Sequence, residues 1–232
     1  MEEVLDAWDW PAGAVVERAA GGLINHTWWV RGADAIPLGV LQQLNTAIFR
    51  PEVHEDIEAV TSHLHARGLA TPRLVRTRAG GLFHLSEDGR CFRVLTVIGD
   101  RTIDKLQDPA DAREAGALVG RFHRAVRDLD WSFRMVRPGA HDTPAHLRGL
   151  REAVLTHRDH RLWPDVRELA EELDLGWRSW RGPRNLPRRV IHGDLKISNI
   201  LFDEADPREA RCLIDLDTVG RMPLWMELGD AW

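Results

Sequence analysis

The densest run of chemically capable side chains lies late in the chain. It reads His192-Gly193-Asp194-Leu195-Lys196-Ile197-Ser198-Asn199, then Ile200-Leu201-Phe202, and shortly after it Ile214-Asp215-Leu216-Asp217-Thr218. Phosphoryl transfer from ATP needs a carboxylate to take the proton of the acceptor hydroxyl, and oxygen ligands to hold Mg²⁺ against the phosphates. An Asp and an Asn five residues apart on a tight loop can serve one site, and a further Asp delivered by a neighbouring hairpin completes it. This assigns Asp194 as base, with Asn199 and Asp215 as metal ligands. Side chains alternate along an extended strand, so Asp217 is expected on the side of Asp215, as ligand to a second ion or as a hydrogen-bonding support.

The elements that must position these residues can be read from apolar periodicity. Residues 14–18 and 27–30 read as strands flanking a glycine-containing turn over 19–25, and 39–44 as a third strand. Pro51 opens a helix with Val53, Ile57, Val60 and Leu64 at helical spacing, ended by Gly68. Short strands follow at 74–77 and 83–85, then a strongly apolar one at 92–98. Beyond Gly99-Asp100 the pattern turns helical. Asp108-Pro109 caps a helix over 112–126, and further helices are expected over 144–157 and 164–180. Residues 189–191 form a strand leading into His192, and 200–202 with 213–214 form a late hairpin. The expected organisation is a strand-rich part over 1–99 and a helix-rich part over 100–232.

Composition narrows the function classes. The 232 residues are 44% hydrophobic and 29% charged, with a formal net charge of -5. That balance supports a sizeable core and gives no overall pull toward nucleic acid or an anionic membrane. Neither nucleic acid nor membrane is expected as a partner. The start Met1-Glu2-Glu3 is acidic where a secretory leader is basic, so a cytoplasmic location is expected. Cys91 and Cys212 each sit in an apolar run and read as buried thiols. There are ten Trp and no Tyr, which rules out a tyrosine acid.

The catalytic segment and Ile214-Asp215 resemble the catalytic loop and metal-binding strand of the aminoglycoside phosphotransferase and choline kinase superfamily. Gly193 and Ile-Asp, in place of the Arg and Asp-Phe-Gly of protein kinases, favour its small-molecule branch. Closer still is the likeness to N-acetylhexosamine kinase-like members, through Gly22-Leu23-Ile24-Asn25-His26-Thr27, Val40-Leu41-Gln42-Gln43-Leu44-Asn45, Val60-Thr61-Ser62-His63-Leu64 and Ile214-Asp215-Leu216-Asp217-Thr218-Val219. The resemblance implies an α+β, two-lobed protein-kinase-like fold with a strand-rich N-lobe and a helical C-lobe. It implies an ATP- and Mg²⁺-dependent kinase acting on a hydroxyl of a small molecule, sugars and amino sugars among them. Gly21, Gly22 and Asn25 would lie over the ATP phosphates, Glu55 would face the phosphate-binding strand, and Thr96 to Ile98 would meet adenine. The third strand carries Gln42 where the superfamily usually has its phosphate-binding lysine, which leaves Lys196 as the cation for the γ-phosphate. Relatives continue past residues 227–232, so a shortened C-lobe is expected. N-acetylhexosamine kinases carry Asn where this chain has Gly193, which points to a different acceptor.

Two rival enzyme classes lack support. No Gly-x-x-x-x-Gly-Lys-Ser/Thr occurs, and a glycosidase needs paired carboxylates but not the Asn. The rival that survives is a nucleotide-binding pseudokinase that keeps the fold without acceptor turnover. His192 reads as packing beneath the loop rather than as the base. The acids between 165 and 174 read as a solvated helix face.

Overall fold

The computed structural model describes residues 2–19, 24–99, 101–106, 108–135, 139–182, 186–203, 205–206 and 209–230. The chain divides into two compact units, Met1–Met135 with Arg188–Trp232, and Val136–Pro187. The expected boundary at Gly99 lies inside the first of them.

In the first unit, helix α1 (Glu2–Leu5) precedes strands β1 (Val15–Arg18), β2 (His26–Arg31) and β3 (Pro37–Gln43). Helix α2 (Val53–Ala66) follows, then β4 (Leu74–Val75), β5 (His84–Leu85), β6 (Cys91–Leu95) and β7 (Arg101–Thr102). Helix α3 (Pro109–Ala125) ends the run before the second unit, which holds α4 (Thr143–Thr156) and α5 (Trp163–Ser179). The chain re-enters the first unit with β8 (Arg188–Ile191), β9 (Ile200–Phe202), β10 (Ala210–Leu213), β11 (Gly220–Pro223) and α6 (Leu224–Asp230). This is the α+β mixture expected from the sequence, with β6 ending three residues early and β11 and α6 unforeseen.

The large sheet is antiparallel in the order β1-β2-β3-β6-β4, with β5 also paired to β6. Its two faces carry different cores because strand side chains alternate. Trp8, Val30, Leu41, Phe92 and Val94 form one cluster with Val4 and Leu5 of α1, and the Trp8 indole donates to the Val75 carbonyl at 2.9 Å. On the other face Cys91 and Leu95 join Val53, Ile57, Val60 and Leu64 of α2, in a core that continues through α3 to β8, β9 and β10. Arg93 falls on this second face, between Cys91 and Leu95, and is only 2% exposed. Both cysteines are buried, and burial pushes the Cys91 thiol up to about 11.

Two smaller sheets shape the functional region. β9 lies between β10 and β7, and β8 pairs with β11 in the register Ile191 to Gly220. Helix α3 starts as its sequence dictates, with the Asp108 carboxylate accepting from the backbone N–H groups of Ala110 and Asp111. In the second unit Asp174 is buried on α5 and takes Arg151 of α4 and Arg178 as ion-pair partners. That corrects the solvated-face reading at this position, since i,i+4 spacing and a facing helix supply two guanidinium groups.

His54 shows what burial costs a titratable group. It lies on α2, fully buried, its ring stacked on Phe83 with centroids 4.8 Å apart, and its Nδ1 is 2.6 Å from the Pro51 carbonyl oxygen. Its Nε2 is buried without a hydrogen-bond partner. Burial first, and then the Arg93 charge, lower its pKa from 6.5 to about 4. The unfolded chain therefore binds a proton that the folded chain refuses, and stability falls as pH drops through that window. Urea unfolding near pH 7 and near pH 4.5 should show His54→Phe, which keeps the ring packing, reducing the acid-induced loss by about 2 kcal/mol. An unchanged loss would contradict the assignment.

Candidate active site

β8 delivers the chain into a loop that its backbone alone makes unusual. Gly193 has φ +77°, and a Cβ there would stand 2.6 Å from the Thr218 carbonyl oxygen, so only glycine fits without moving backbone. His192 is fully buried beneath the loop. Its Nε2 lies 2.8 Å from the Ile214 carbonyl oxygen and its Nδ1 3.3 Å from the Asp194 N–H. Nε2 must then carry the proton and Nδ1 accept, which leaves this histidine no capacity to act as base.

A carboxylate that sequence reasoning missed holds the loop from below. Glu227 of α6 is 1% exposed, and its two oxygens accept the backbone N–H groups of His192 and Gly193, each at 3.0 Å. His123 of α3 stands 3.2 Å from the same carboxylate. Burial alone would raise its pKa, but the His123 and backbone hydrogen bonds hold it below the ordinary glutamate range. The available signal was a lone acid inside the near-apolar stretch Leu224-Trp225-Met226-Glu227-Leu228.

At the loop's outer side three predicted residues come together. The Asp194 Oδ2 accepts from Lys196 Nζ at 2.6 Å and from Asn199 Nδ2 at 3.0 Å, and Asn199 Nδ2 also donates to the Asp194 carbonyl at 2.8 Å. These bonds use the nitrogen of the Asn199 amide and turn its oxygen to other work. Asp194 and Lys196 are both partly open to solvent.

Asp215 sits at the end of β10 in the left-handed region, φ 64° and ψ 56°, one of two non-glycine residues at positive φ among the described ones. For Asp this costs about 1–2 kcal/mol and is tolerated where neighbours over-determine it. Ile214 just before it is fixed to the catalytic loop, donating to the Asn199 carbonyl at 2.9 Å while its own carbonyl meets His192. The carboxylate tip is open to solvent, but the protein crowds it on other sides. Lost hydration, then the like charge of Asp217, push its pKa up.

Asp217 departs from expectation. Residues Leu216–Thr218 form a single 3-10 turn, not an extended strand, so the alternation argument fails there. Asp217 is 3% exposed and points at the large sheet, where Oδ1 accepts from Arg93 Nη1 at 2.5 Å and Oδ2 from Arg93 Nη2 at 2.9 Å. Asn25 Nδ2 donates to the same Oδ2 at 2.7 Å. With both oxygens taken, the carboxylate is a support and not a metal ligand. Although burial works to raise its pKa, Arg93 and these bonds hold it low.

The same network corrects two cofactor-binding assignments. The Asn25 oxygen accepts from the Asn45 backbone N–H at 3.0 Å, so its amide ties down the base of the turn rather than reaching outward. Gln42 lies opposite Arg93 in the β3–β6 register, accepts from its Nε at 2.9 Å and donates to Thr27 Oγ1 at 3.3 Å. Glu55 does not face β3 either. The inward side of α2 is made by Val53, His54, Ile57, Val60, Thr61 and Leu64, and Glu55 is exposed, 3.5 Å from Arg134. Thr96 and Ile98 follow β6 without strand pairing, and both the hydroxyl and the N–H of Thr96 are already bonded to the Arg73 backbone. Gly21 and Gly22 lie outside the described residues.

Among the described residues no group of three or more His, Cys, Asp or Glu could cage a metal. The oxygens that remain, Asp215 and the Asn199 amide, suit Mg²⁺, which takes one or two protein ligands and completes its shell with phosphates and water. A carboxylate whose pKa is raised for want of a counter-charge fits the same role.

Comparison with known proteins agrees with this arrangement. Residues 15–232 match the profile of APH, the phosphotransferase enzyme family. A homoserine kinase of Methylobacterium radiotolerans is 34% identical over 143 residues, which are 60% of this chain and 41% of that protein. One from Beijerinckia indica is 35% identical over 144 residues, again 60% and 41%. The chain thus aligns with about two fifths of these relatives. Among solved structures, an amicoumacin kinase in complex with AMP-PNP and Ca²⁺ superposes with a TM-score of 0.66 at 14% identity, covering 99% of this chain and 66% of that one. An aminoglycoside phosphotransferase of Alicyclobacillus acidocaldarius gives 0.66 at 17% identity, covering 98% and 69%. At these identities the superpositions establish the fold. No helix among the described residues is long and apolar enough to cross a membrane.

Two substitutions test the loop's construction. Glu227→Gln replaces an acceptor oxygen by a donor facing another donor, and should cost about 1–3 kcal/mol in urea unfolding. Gly193→Ala, forced against the Thr218 carbonyl, should cost at least as much; a midpoint unchanged in either variant would contradict the geometry.

Proposed function

Because the chain belongs to the phosphotransferase enzyme family, we propose that it transfers the γ-phosphoryl group of ATP to a hydroxyl of a small molecule. The observation that carries this reading is the Asp194 carboxylate, held by Lys196 at 2.6 Å and Asn199 at 3.0 Å beside the left-handed Asp215. Phosphoryl transfer asks the protein for positioning and charge more than for covalent chemistry. The acceptor oxygen bonds to the γ-phosphorus as the bond to the β-phosphate oxygen breaks, ADP leaves, and the hydroxyl proton passes to Asp194. Lys196 neutralises charge on the transferring group from its place beside the base. Mg²⁺, held through Asn199 and Asp215, would offset the phosphate charge.

The nucleotide's base and phosphates are assigned to the chain segments 96–98 and 21–25, with the lobe boundary near Gly99. The homoserine kinase relatives make a hydroxyl-bearing amino acid the first acceptor to try, and the motif likeness to N-acetylhexosamine kinases makes amino sugars the second. A reaction fed by ATP belongs in the cytoplasm.

The test is acceptor-dependent ADP release from Mg·ATP, with homoserine, N-acetylhexosamines, hexoses, choline and aminoglycosides as acceptors. Asp194→Asn should lower turnover by about 10²–10⁴-fold while ADP affinity stays within a few-fold. Normal turnover in that variant would remove Asp194 as base. Nucleotide binding without turnover on any acceptor would favour the pseudokinase reading.

A further inference from the structure

Arg93 is a full charge placed in the middle of an apolar strand face, between Cys91 and Leu95, and it is 2% exposed. Such a position costs several kcal/mol unless every charge and donor finds a partner. Here the guanidinium is bound on two sides. Its Nε donates to Gln42 across the β3–β6 pairing, and its two terminal nitrogens fork onto both oxygens of Asp217. Asn25 closes the same carboxylate from the turn after β1. A planar fork can satisfy the sheet and the carboxylate at once, which a lysine point charge cannot.

What this grips is the turn that follows Asp215. On its N-terminal side Asp215 is fixed through Ile214, whose backbone N–H and carbonyl both bond the catalytic loop. On its C-terminal side the turn Leu216–Thr218 has two anchors, the Thr218 hydroxyl on the His192 carbonyl at 3.0 Å and Asp217 on Arg93. Asp215 is left between them at φ 64° with its carboxylate open, and the Asp217 charge beside it is balanced by Arg93.

We propose that Arg93, acting through Asp217, is a positioning residue that holds Asp215 in its left-handed conformation and so sets the magnesium-dependent part of nucleotide affinity. This rests on the kinase reading above. It also accounts for Gln42 on the third strand: the cation stands one strand over, in β6, and works from behind the metal ligand instead of in front of the phosphate. Groups that orient a metal ligand without touching the metal typically matter by about 10–100-fold in metal affinity.

The experiment is calorimetric titration with ADP, with and without Mg²⁺, on the full chain and on Arg93→Gln, Arg93→Lys, Asp217→Asn and the Arg93→Gln/Asp217→Asn double variant. The wild type should bind Mg·ADP more tightly than ADP alone. Arg93→Gln and Asp217→Asn should each lose about 10–100-fold in Mg·ADP affinity while ADP alone changes less than about threefold. The double variant should be no worse than the poorer single one, because both act through one contact. Arg93→Lys should recover only part of the loss. If either Arg93 variant fails to fold, Asp217→Asn, similar in shape, carries the same comparison alone. Equal losses with and without Mg²⁺, or additive losses in the double variant, would overturn the inference while leaving the kinase reading intact. A wild type that binds no ADP at all would overturn both.

Discussion

A buried ion pair joins the strand-rich part of the first unit to the segment that carries its chemistry. Arg93 on β6 and Asp217 behind Asp215 meet through two hydrogen bonds in near-complete exclusion of water. Removing either partner strands a charge at depth, which costs about 3–5 kcal/mol. A hydrophobic pair of the same volume would serve packing equally well, so such a bridge is poor evidence of stability for its own sake. Its geometry is better explained by what it fixes: the sheet through Gln42, the turn at Asn25 and Asn45, and the 3-10 turn at Asp217.

The opposite side of the site is held by the inverse device, an anion satisfied by backbone donors. Glu227 accepts the two N–H groups that the left-handed turn at Gly193 leaves pointing into the protein. Buried backbone donors need partners, and a glycine loop cannot find them within itself. His192 finishes the job by bonding Ile214 and Asp194 at once. Asp194, Asn199 and Asp215 therefore hang from a scaffold whose polar groups are spent on one another, while their own oxygens remain outward. That is the preorganisation phosphoryl transfer requires.

Much of this was legible in the chain. Period-two and period-3.6 apolar patterns placed β1 to β3, α2, β6 and the helices α3 to α5 near their observed bounds, because each buries one face and its residue types say so. The Asp-to-Asn spacing found the loop because local chain geometry alone brings Asp194 and Asn199 together. The remainder was hidden where a contact spans the sequence. Arg93 and Asp217 are 124 positions apart, and Glu227 and Gly193 are 34 apart. Asp217 was misplaced because Asp215 enters the left-handed region, which reverses the chain where an extended strand was assumed. Glu55 was misplaced because His54, an ambiguous residue, takes the inward position on α2. A charge within an otherwise apolar strand, as at Arg93, was the one available sign that a partner lay elsewhere.

The claim on which the account stands is transfer of a phosphoryl group to carbon-borne oxygen. It is tested most directly by ³¹P NMR of Mg·ATP incubated with the protein and each acceptor in turn, homoserine first. The account predicts a new phosphate-monoester resonance that grows as the γ-phosphate signal of ATP declines, in step with ADP. ATP left unchanged with every acceptor, or split only into ADP and inorganic phosphate, would contradict it.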